Sequence, residues 1–341
     1  MAEVVTIGLD IAKSVFQVHG MDAAGAVVLR RQVRRAHLLL FFAKQPKCLI
    51  GVEACASAHY WGRELSKLGH QVRLMPPSYV KPYVKRQKND AADAEAICEA
   101  VTRPTMRFVE IKSPEQQSVM VLHRVRMMLM RQRTQLSNAI RAHMAEFGLV
   151  APIGREGLQN LIKLVETSDA RVPEEASACL QLLATQLKLL NSQILATDRR
   201  IRTSARATET GRRLMGIPGV GPLLASALVA TVPDPKAFKS GRNLAAWVGL
   251  VPKQNSSGGK ERMGGITKQG DRYLRQLLVV GALAVVRYAQ RHGARRPWLV
   301  QLLSRRATKV ATVALANKTA RIAWAIMTSG ESYREPMVQA A

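Results

Sequence analysis

The sequence has few acidic and few aromatic residues for its length. Of 341 residues, 24 are Asp or Glu against 51 Lys or Arg, which leaves a formal net charge of +27. Aromatic residues make up only 5% of the chain. The four cysteines show no C-x-x-C spacing, which argues against a disulfide scaffold and against a structural zinc site. They are Cys48, Cys55, Cys98 and Cys179.

Long apolar runs are also missing. The run from Leu277 to Val286 lies between Arg275 and Arg287, and it is much shorter than the roughly 20 residues that a membrane helix needs. The N-terminus has no basic segment before an apolar stretch, so it does not have the pattern of a secretory signal. We therefore expect a cytoplasmic protein with no membrane-spanning segment.

The excess of positive charge points to a polyanionic partner. It is concentrated in residues 211–341, which contain 21 basic and 5 acidic side chains. A protein this basic is best tolerated beside a polyanion, and nucleic acid is the default choice. The length fits two or three domains.

The first of these domains is predicted to cover residues 1–111 and to have an α/β fold. The runs at 4–9 and 15–19 are short and rich in β-branched residues, which predicts a two-stranded hairpin. Further strands are predicted at 49–53 and 71–75, with a helix at 60–68 between them. Strands that alternate with helices are typical of an α/β domain.

A region of two long helices is predicted over residues 112–207. Ser113, Pro114 and Gln116 have the pattern of a capping box, which starts a helix of about 34 residues ending near Gly148. A second apolar stripe runs from Glu174 to about residue 204. Two helices joined by a loop with Gly and Pro predict an antiparallel coiled coil, or equally two helices of a bundle.

The third part, residues 208–330, is predicted to be mainly helical and broken by glycine-rich loops. Its last helices are expected at 272–290 and at about 298–327, before a flexible tail at 331–341. The turn containing Gly216, Gly219 and Gly221 resembles a helix-hairpin-helix turn, in which glycines let backbone N–H groups approach a phosphate. A tight packing turn between two helices is the alternative.

Four carboxylates in the first domain form a candidate metal site. Asp10 and Glu53 each close a predicted strand, and Asp90 and Asp93 stand three apart on one face of an alanine-rich helix. If that helix packs on the strand ends, the four acids repel one another unless they hold cations, for which Mg²⁺ is suited. Alternatively, Asp90 only stabilises a helix N-terminus and Asp93 faces solvent.

A serine loop in the third domain has features of a phosphate-directed site. Ser257 precedes Gly258 and Gly259, whose backbone freedom allows a close approach to a phosphate. Nearby cations would neutralise developing charge, namely Lys260, Arg262 and Lys268. Together with Arg272, they are also candidates for binding nucleic acid. By itself, such a stretch is usually only a flexible loop.

These segments together resemble a family of insertion-sequence transposases. The strand-end motifs around Asp10 and Glu53, and the motif from Lys88 to Ala94, are similar to the DEDD set of a RuvC-like, ribonuclease-H-fold domain. The segments 215–221, 246–252, 256–260 and 266–271 extend the likeness over essentially the whole chain. The family is the bridge-RNA-guided one named for insertion sequence one-hundred-and-ten, and the chain looks closest to its eleven-eleven subgroup.

The resemblance implies a mechanism and partners. The four acids would hold Mg²⁺, and Ser257, rather than Ser256, would attack the scissile phosphate to give a 5′-phosphoserine. The partners implied are donor and target DNA and a noncoding guide RNA, with a homotetramer built from homodimers. Two other interpretations of the residues remain: a RuvC-type nuclease that uses metal-activated water, and a non-catalytic basic protein that binds nucleic acid.

Overall fold

The structure is a computed structural model that describes residues 3–85, 89–292 and 297–335. It divides into two compact units: residues 1–116 with 232–237, and residues 117–231 with 238–341. Lys88 of the motif around Asp90, and residues 336–341 of the predicted tail, lie outside the described residues. Within the described part of the chain, no helix is both long and apolar enough to cross a membrane.

The first unit has a mixed five-stranded sheet flanked by helices, as the α/β prediction requires. The strands are β1 Thr6–Asp10, β2 Val15–Met21, β3 Val27–Arg34, β4 Leu49–Glu53 and β5 Gln71–Met75. Their order is β3-β2-β1-β4-β5. Strand β2 runs antiparallel to both of its neighbours, β1 and β3, while β4 and β5 run parallel to β1. The predicted hairpin of β1 and β2 is confirmed.

Among its described residues this unit has four short α-helices, and a long one begins in it. They are α1 Leu38–Ala43, α2 Ala58–Lys67, α3 Pro77–Val80 and α4 Asp90–Val101. Helix α5, Pro114–Glu146, starts with the predicted capping box. The Gln116 N–H donates to Ser113 Oγ at 3.2 Å, and the Ser113 N–H donates to Gln116 Oε1 at 2.9 Å. This reciprocal pair satisfies two N–H groups that the helix cannot bond itself.

The second unit is mainly helical. Its further helices are α6 Arg155–Glu166, α7 Glu174–Ala207, α8 Glu209–Met215, α9 Pro222–Thr231, α10 Gly241–Val248, α11 Arg272–His292, α12 Pro297–Arg305 and α13 Thr308–Ser329. A small hairpin joins β6 Pro252–Gln254 to β7 Met263–Ile266. Side chains of α5 and α7 share two apolar clusters in antiparallel order, since Leu129 packs near Leu190, and Met144 near Leu180. Whether this pair is a coiled coil remains a prediction.

Three elements differ from the sequence prediction. The connection between the two long helices is not only a loop, because it contains α6, whose Leu161, Ile162 and Val165 are buried. The edge strand β3 was missed because it is mostly exposed and shows no apolar alternation. The single last helix predicted at 298–327 is two helices, since Ala307 is extended (ψ 145°) and starts α13 afresh.

Candidate functional site

Asp10 and Glu53 lie at the same edge of the sheet. Each is the last residue of its strand, and the parallel register of β1 and β4 pairs Leu9 with Val52 immediately before them. The carboxyl ends of neighbouring parallel strands meet at one edge of a sheet, so both carboxylates lie at that edge. Both residues are partly buried.

Two glycines bring helix α4 directly against these strands. Gly8 and Gly51 are register partners in β1 and β4. A Cβ on Gly8 would lie 2.1 Å from the Ala94 carbonyl oxygen, and one on Gly51 would lie 2.8 Å from Val101 Cβ. No real side chain fits at such distances, so the helix backbone can lie this close only where the strands lack a Cβ.

The first turn of α4 carries the other two carboxylates. Asn89 caps the helix, because its side-chain oxygen accepts a hydrogen bond from the Ala92 N–H at 2.8 Å. Asp90 and Asp93 both follow in the first turn. Asp90 is exposed and Asp93 is partly buried. The cap fixes where the helix begins and therefore where these two acids stand.

The four predicted acids interact electrostatically. Burial is the largest cause that raises the pKa of Asp10 from 3.8 to about 6, and the negative charges of Asp93, Asp90 and Glu53 contribute to the same rise in that order. Like charges that approach one another disfavour ionisation, so Asp10 senses the other three carboxylates. The structure therefore places Asp10 where it senses the charges of Glu53, Asp90 and Asp93, and a shared metal site of the four acids remains a prediction.

The donor chemistry of this region suits a hard divalent cation. All four side chains offer carboxylate oxygens, the ligands that Mg²⁺ prefers, and a cation would relieve the repulsion that raises the pKa of Asp10. Among the residues that the structure describes, no group of three acidic, His or Cys side chains stands ready to hold a metal ion. The carboxylates thus fit Mg²⁺ by the chemistry of their oxygen ligands.

Ser257 stands at the turn of the small hairpin in the second unit. The Lys260 N–H donates to the Ser257 carbonyl oxygen at 3.1 Å, with Gly258 at φ 55° and Gly259 at φ 74° between them. Positive φ at both central residues is typical of a type I′ turn, which glycine adopts without steric cost. The two glycines that follow the serine therefore form a tight turn, where the residues by themselves favour a flexible loop.

The hydroxyl groups of the two neighbouring serines have different surroundings. Ser256 Oγ accepts hydrogen bonds from the Arg262 N–H and from Gln254 Nε2, each at 3.2 Å, so it braces the two sides of the hairpin. The Ser257 side chain is exposed, and no hydrogen bond to its hydroxyl is found among the described residues. Only Ser257 presents a hydroxyl that is not already used to hold the turn.

The predicted cations follow the same hairpin. Lys260 and Arg262 are exposed on its returning side, and Arg272 begins α11. Lys268 adopts φ 56°, a strained conformation for a residue other than glycine. Its N–H donates to the Gly249 carbonyl oxygen at 3.2 Å, which ties the end of the hairpin to the end of α10. No signal in the sequence could have shown this backbone strain.

The glycine turn between α8 and α9 has a packing role. Gly219 has φ 87°, and a Cβ there would lie 2.8 Å from the Gly281 carbonyl oxygen of α11. A Cβ on Gly281 would in turn lie 2.1 Å from the Gly219 carbonyl oxygen. Packing against α11 thus accounts for the need for glycine at 219, and phosphate binding by Gly216, Gly219 and Gly221 remains a prediction.

Comparison with known proteins places both sites within matched regions. A family model for DEDD transposases of IS110, described as Transposase, matches residues 7–148, which include all four acids. A second model, Transposase IS116/IS110/IS902 family, matches residues 211–296, which include the serine hairpin and the glycine turn.

Whole-chain relatives agree with these matches. A probable family 20 transposase of Pseudomonas aeruginosa is 50% identical over 96% of this chain and 98% of its own length. The transposase for insertion sequence element IS1328 of Yersinia enterocolitica is 40% identical over 97% and 98%, respectively. The transposase for insertion sequence element IS1111A of Coxiella burnetii is 40% identical over 98% and 92%. The chain therefore belongs to the IS116/IS110/IS902 family and is a DNA transposase.

Proposed function

We propose that this transposase is guided by RNA and rejoins DNA through a covalent serine intermediate. The observation that carries the proposal is the hairpin of the second unit, where Ser256 is used to brace the turn while the Ser257 hydroxyl is exposed and available. The strand order of the first unit supports a RuvC-like, ribonuclease-H fold for residues 1–111. Residues 112–207 and 208–330 then form a coiled-coil region and a serine-bearing domain.

In the proposed reaction, Ser257 Oγ attacks the phosphorus of the scissile phosphodiester. The bond from phosphorus to the 3′ oxygen breaks, which leaves a 5′-phosphoserine and a 3′-hydroxyl that takes up a proton, while the serine gives up its own. Attack by a 3′-hydroxyl on this phosphoserine reverses the step and joins a new strand without an external energy source. Lys260, Arg262 and Lys268 would neutralise charge on the phosphoryl oxygens.

Asp10, Glu53, Asp90 and Asp93 would hold Mg²⁺ in this scheme. When bound, the ion supplies stabilisation of negative charge on the phosphoryl group and the leaving oxygen. The elevated pKa of Asp10 supports this assignment, because, after burial, the charges of the other three carboxylates contribute to it. In the proposed homotetramer, built from homodimers, the acids of one subunit act with the serine of another.

Guidance by RNA would supply the sequence specificity. The net charge of +27 suits contacts to the nucleic-acid backbone, which give affinity without sequence information. The sequence has no recognisable homeodomain or zinc finger that could read base edges. Base pairing between a noncoding RNA and the donor and target DNA would supply the sequence specificity that backbone contacts lack.

A suicide DNA substrate tests the serine chemistry. A covalent protein–DNA species should form with the unaltered chain and with Ser256→Ala, and should be absent with Ser257→Ala. An adduct on Ser256 would move the nucleophile by one residue. Cleavage without any adduct would favour instead a RuvC-type nuclease that uses metal-activated water.

A change in the guide RNA tests the source of specificity. The target-pairing loop of the RNA is altered while every residue of the protein is kept, and the new insertion junctions are sequenced. Insertions should follow the altered loop. Insertions that stay at the old site would show that the protein itself reads DNA sequence.

A further inference from the structure

The second unit contains a pocket that none of the predicted site residues line. It lies between α10, α12 and α13 and has a volume of about 720 Å³. Its walls include two indoles, Trp298 on α12 and Trp324 on α13, together with the cationic side chains of Arg242, Lys318 and Arg321. The volume falls within the range of roughly 300–1,000 Å³ typical of sites for small organic groups.

Contacts between the surrounding helices hold this pocket in shape. Gly241, the first residue of α10, lies against α13 so closely that a Cβ there would be 2.9 Å from the Arg321 carbonyl oxygen. Lys318 Nζ lies 4.4 Å from the centroid of the Trp298 ring, a cation–π contact that joins α13 to α12. The indole and the cations are therefore placed by packed helices and not by a loop.

The charge of the pocket is of one sign. Three of the residues that line it are cationic and none is acidic. The N-terminus of α10 adds to this positive potential, because Ser240 does not cap it and instead donates its hydroxyl proton to Asn243 Oδ1 at 2.7 Å. A pocket with this lining attracts an anion, because no acidic side chain in the lining repels it.

The indoles determine what kind of anion fits. Trp298 remains 38% exposed, while the next residue, Leu299, is buried. Cations alone would suit inorganic phosphate, whereas a flat aromatic surface beside cations suits a base joined to a phosphate. Stacking on an aromatic side chain does not depend on which base is present, since every base has a π-face.

We propose that this pocket binds an unpaired nucleotide of a single nucleic-acid strand. The base stacks on Trp298, and Arg242 and Arg321 contact the adjoining phosphate. RNA and single-stranded DNA share this chemistry, and both occur during strand exchange guided by RNA. The inference rests on nucleic-acid handling by this transposase, but it needs neither the Ser257 chemistry nor guidance by RNA.

The test measures binding of labelled single-stranded hexamers to the full chain by fluorescence anisotropy. The probes are hexauridine RNA, hexathymidine DNA, and an abasic hexamer with the same phosphates but no bases. The unaltered chain should bind at least one base-bearing probe more tightly than the abasic one by about fivefold or more, since one stacked base contributes about 1–3 kcal/mol. Comparable affinity for all three probes would overturn the proposal.

Variants locate the stacking surface. Trp298→Ala should remove the preference for bases, and Trp298→Phe should restore most of it. Arg305→Ala, which removes an exposed cation at the end of the same helix outside the pocket, should leave the preference unchanged. If Trp298→Ala keeps the full preference, the site is elsewhere. Arg321→Gln, with Trp298 intact, should weaken binding of base-bearing and abasic probes alike, and by more than Arg305→Gln does.

Cross-linking separates the pocket from the rest of this basic surface. A hexamer with 5-iodouridine is irradiated with the full chain, and the modified residues are mapped by mass spectrometry. Adducts on Trp298 or Trp324 support the proposal, and adducts only outside α10, α12 and α13 contradict it.

The binding measurements also distinguish RNA from DNA. A preference for bases that is confined to the RNA probe assigns the pocket to RNA, and one confined to the DNA probe assigns it to a DNA strand. Neither result depends on whether transposition or a serine adduct is observed.

Discussion

In the first unit the candidate carboxylates are held by a sheet and a helix whose backbones touch, whereas in the second unit Ser257 stands on a hairpin that is exposed throughout its turn. Glycine is essential to both, but for different reasons. Gly8 and Gly51 remove side chains so that α4 can approach. Gly258 and Gly259 have open space around them and are needed for their positive φ. One site depends on packing, and the other on local backbone conformation.

The consequence is a difference in how firmly each site is fixed. The acids are anchored to strand ends and to a capped helix, which suits groups that must oppose their mutual repulsion. The hairpin is held by its own turn and by Ser256, which suits the proposed role of Ser257 as a nucleophile that meets a separate polymer. Substitutions at single positions can therefore show whether each site depends on packing or on local backbone conformation.

The largest expected effect is on the reaction. Asp10→Asn should lower Mg²⁺-dependent DNA strand cleavage by about a thousandfold or more, since it removes one charge from the acid set. Binding of nucleic acid should persist, because affinity for a polyanion comes mainly from Lys and Arg. Glu53→Gln, Asp90→Asn and Asp93→Asn should behave alike. Cleavage is measured on a labelled duplex with folding verified. Robust cleavage by any one of these variants would show that the substituted residue is not part of the metal site.

Gly8→Ala should strongly destabilise the first unit. Its Cβ would lie 2.1 Å from the Ala94 oxygen and 2.4 Å from the Cys98 nitrogen, which are backbone atoms that cannot turn aside. We expect a loss of about 3 kcal/mol or more in the free energy of unfolding, measured by urea denaturation.

Gly265→Ala is the matched control for this change. The residue lies in β7 with nothing within 4 Å of the added methyl and no positive φ, so its stability should stay close to that of the unaltered chain. Equal losses for Gly8→Ala and Gly265→Ala would refute the idea that the acid site depends on backbone clearance.

Asp10→Asn should also stabilise the metal-free protein at neutral pH. A carboxyl whose pKa is raised from 3.8 to about 6 binds its proton more tightly when folded, so the free energy of unfolding falls as the pH rises from 3.8 to 6. Above pH 6 the cost of ionising Asp10 is fully present, on the order of 2 kcal/mol for this partly buried group. The variant should therefore gain stability over the unaltered chain at pH 7 but not at pH 3.5, measured in chelator.

A second substitution, Asp10→Ser, tests whether the charge of Asp10 causes this pH dependence. Asp10→Ser also removes the charge, so it should lose the same pH dependence even though its shape differs. A stability gain that is equally large at pH 3.5 and pH 7 would mean that Asp10 is destabilising for a reason other than its charge.

The smallest effect is expected in the hairpin. Gly259→Ala keeps open space around the added methyl but forces it to φ 74°, which costs roughly 1 kcal/mol in the local turn. The global stability should change little, because the hairpin is exposed. The yield of the covalent DNA adduct should fall more than the melting temperature does, whereas Gly265→Ala should leave both unchanged. An unchanged adduct yield would mean that the type I′ turn is dispensable for presenting Ser257.

The sequence alone determined the elements whose signals are local. Strand periodicity gave β1, β2, β4 and β5, and the capping box at Ser113 gave the start of α5, because period and cap are properties of neighbouring residues. It also determined the four acids and the serine as candidates, through residue type, spacing and family resemblance. The edge strand β3 and the break at Ala307 were missed, since neither leaves a periodic apolar pattern.

Only the tertiary structure decided which residues act on one another. The sequence placed Asp10 and Asp93 far apart in the chain, and the packing of α4 on Gly8 and Gly51 brought their charges together. It also distinguished Ser256 from Ser257, because the hydrogen bond to Arg262 exists only once the hairpin has closed. The pocket of Trp298 and Trp324 has no sequence signature either, since three helices must pack before its walls exist. Local signals are carried by adjacent residues, whereas contacts between distant residues depend on a fold that no short segment contains.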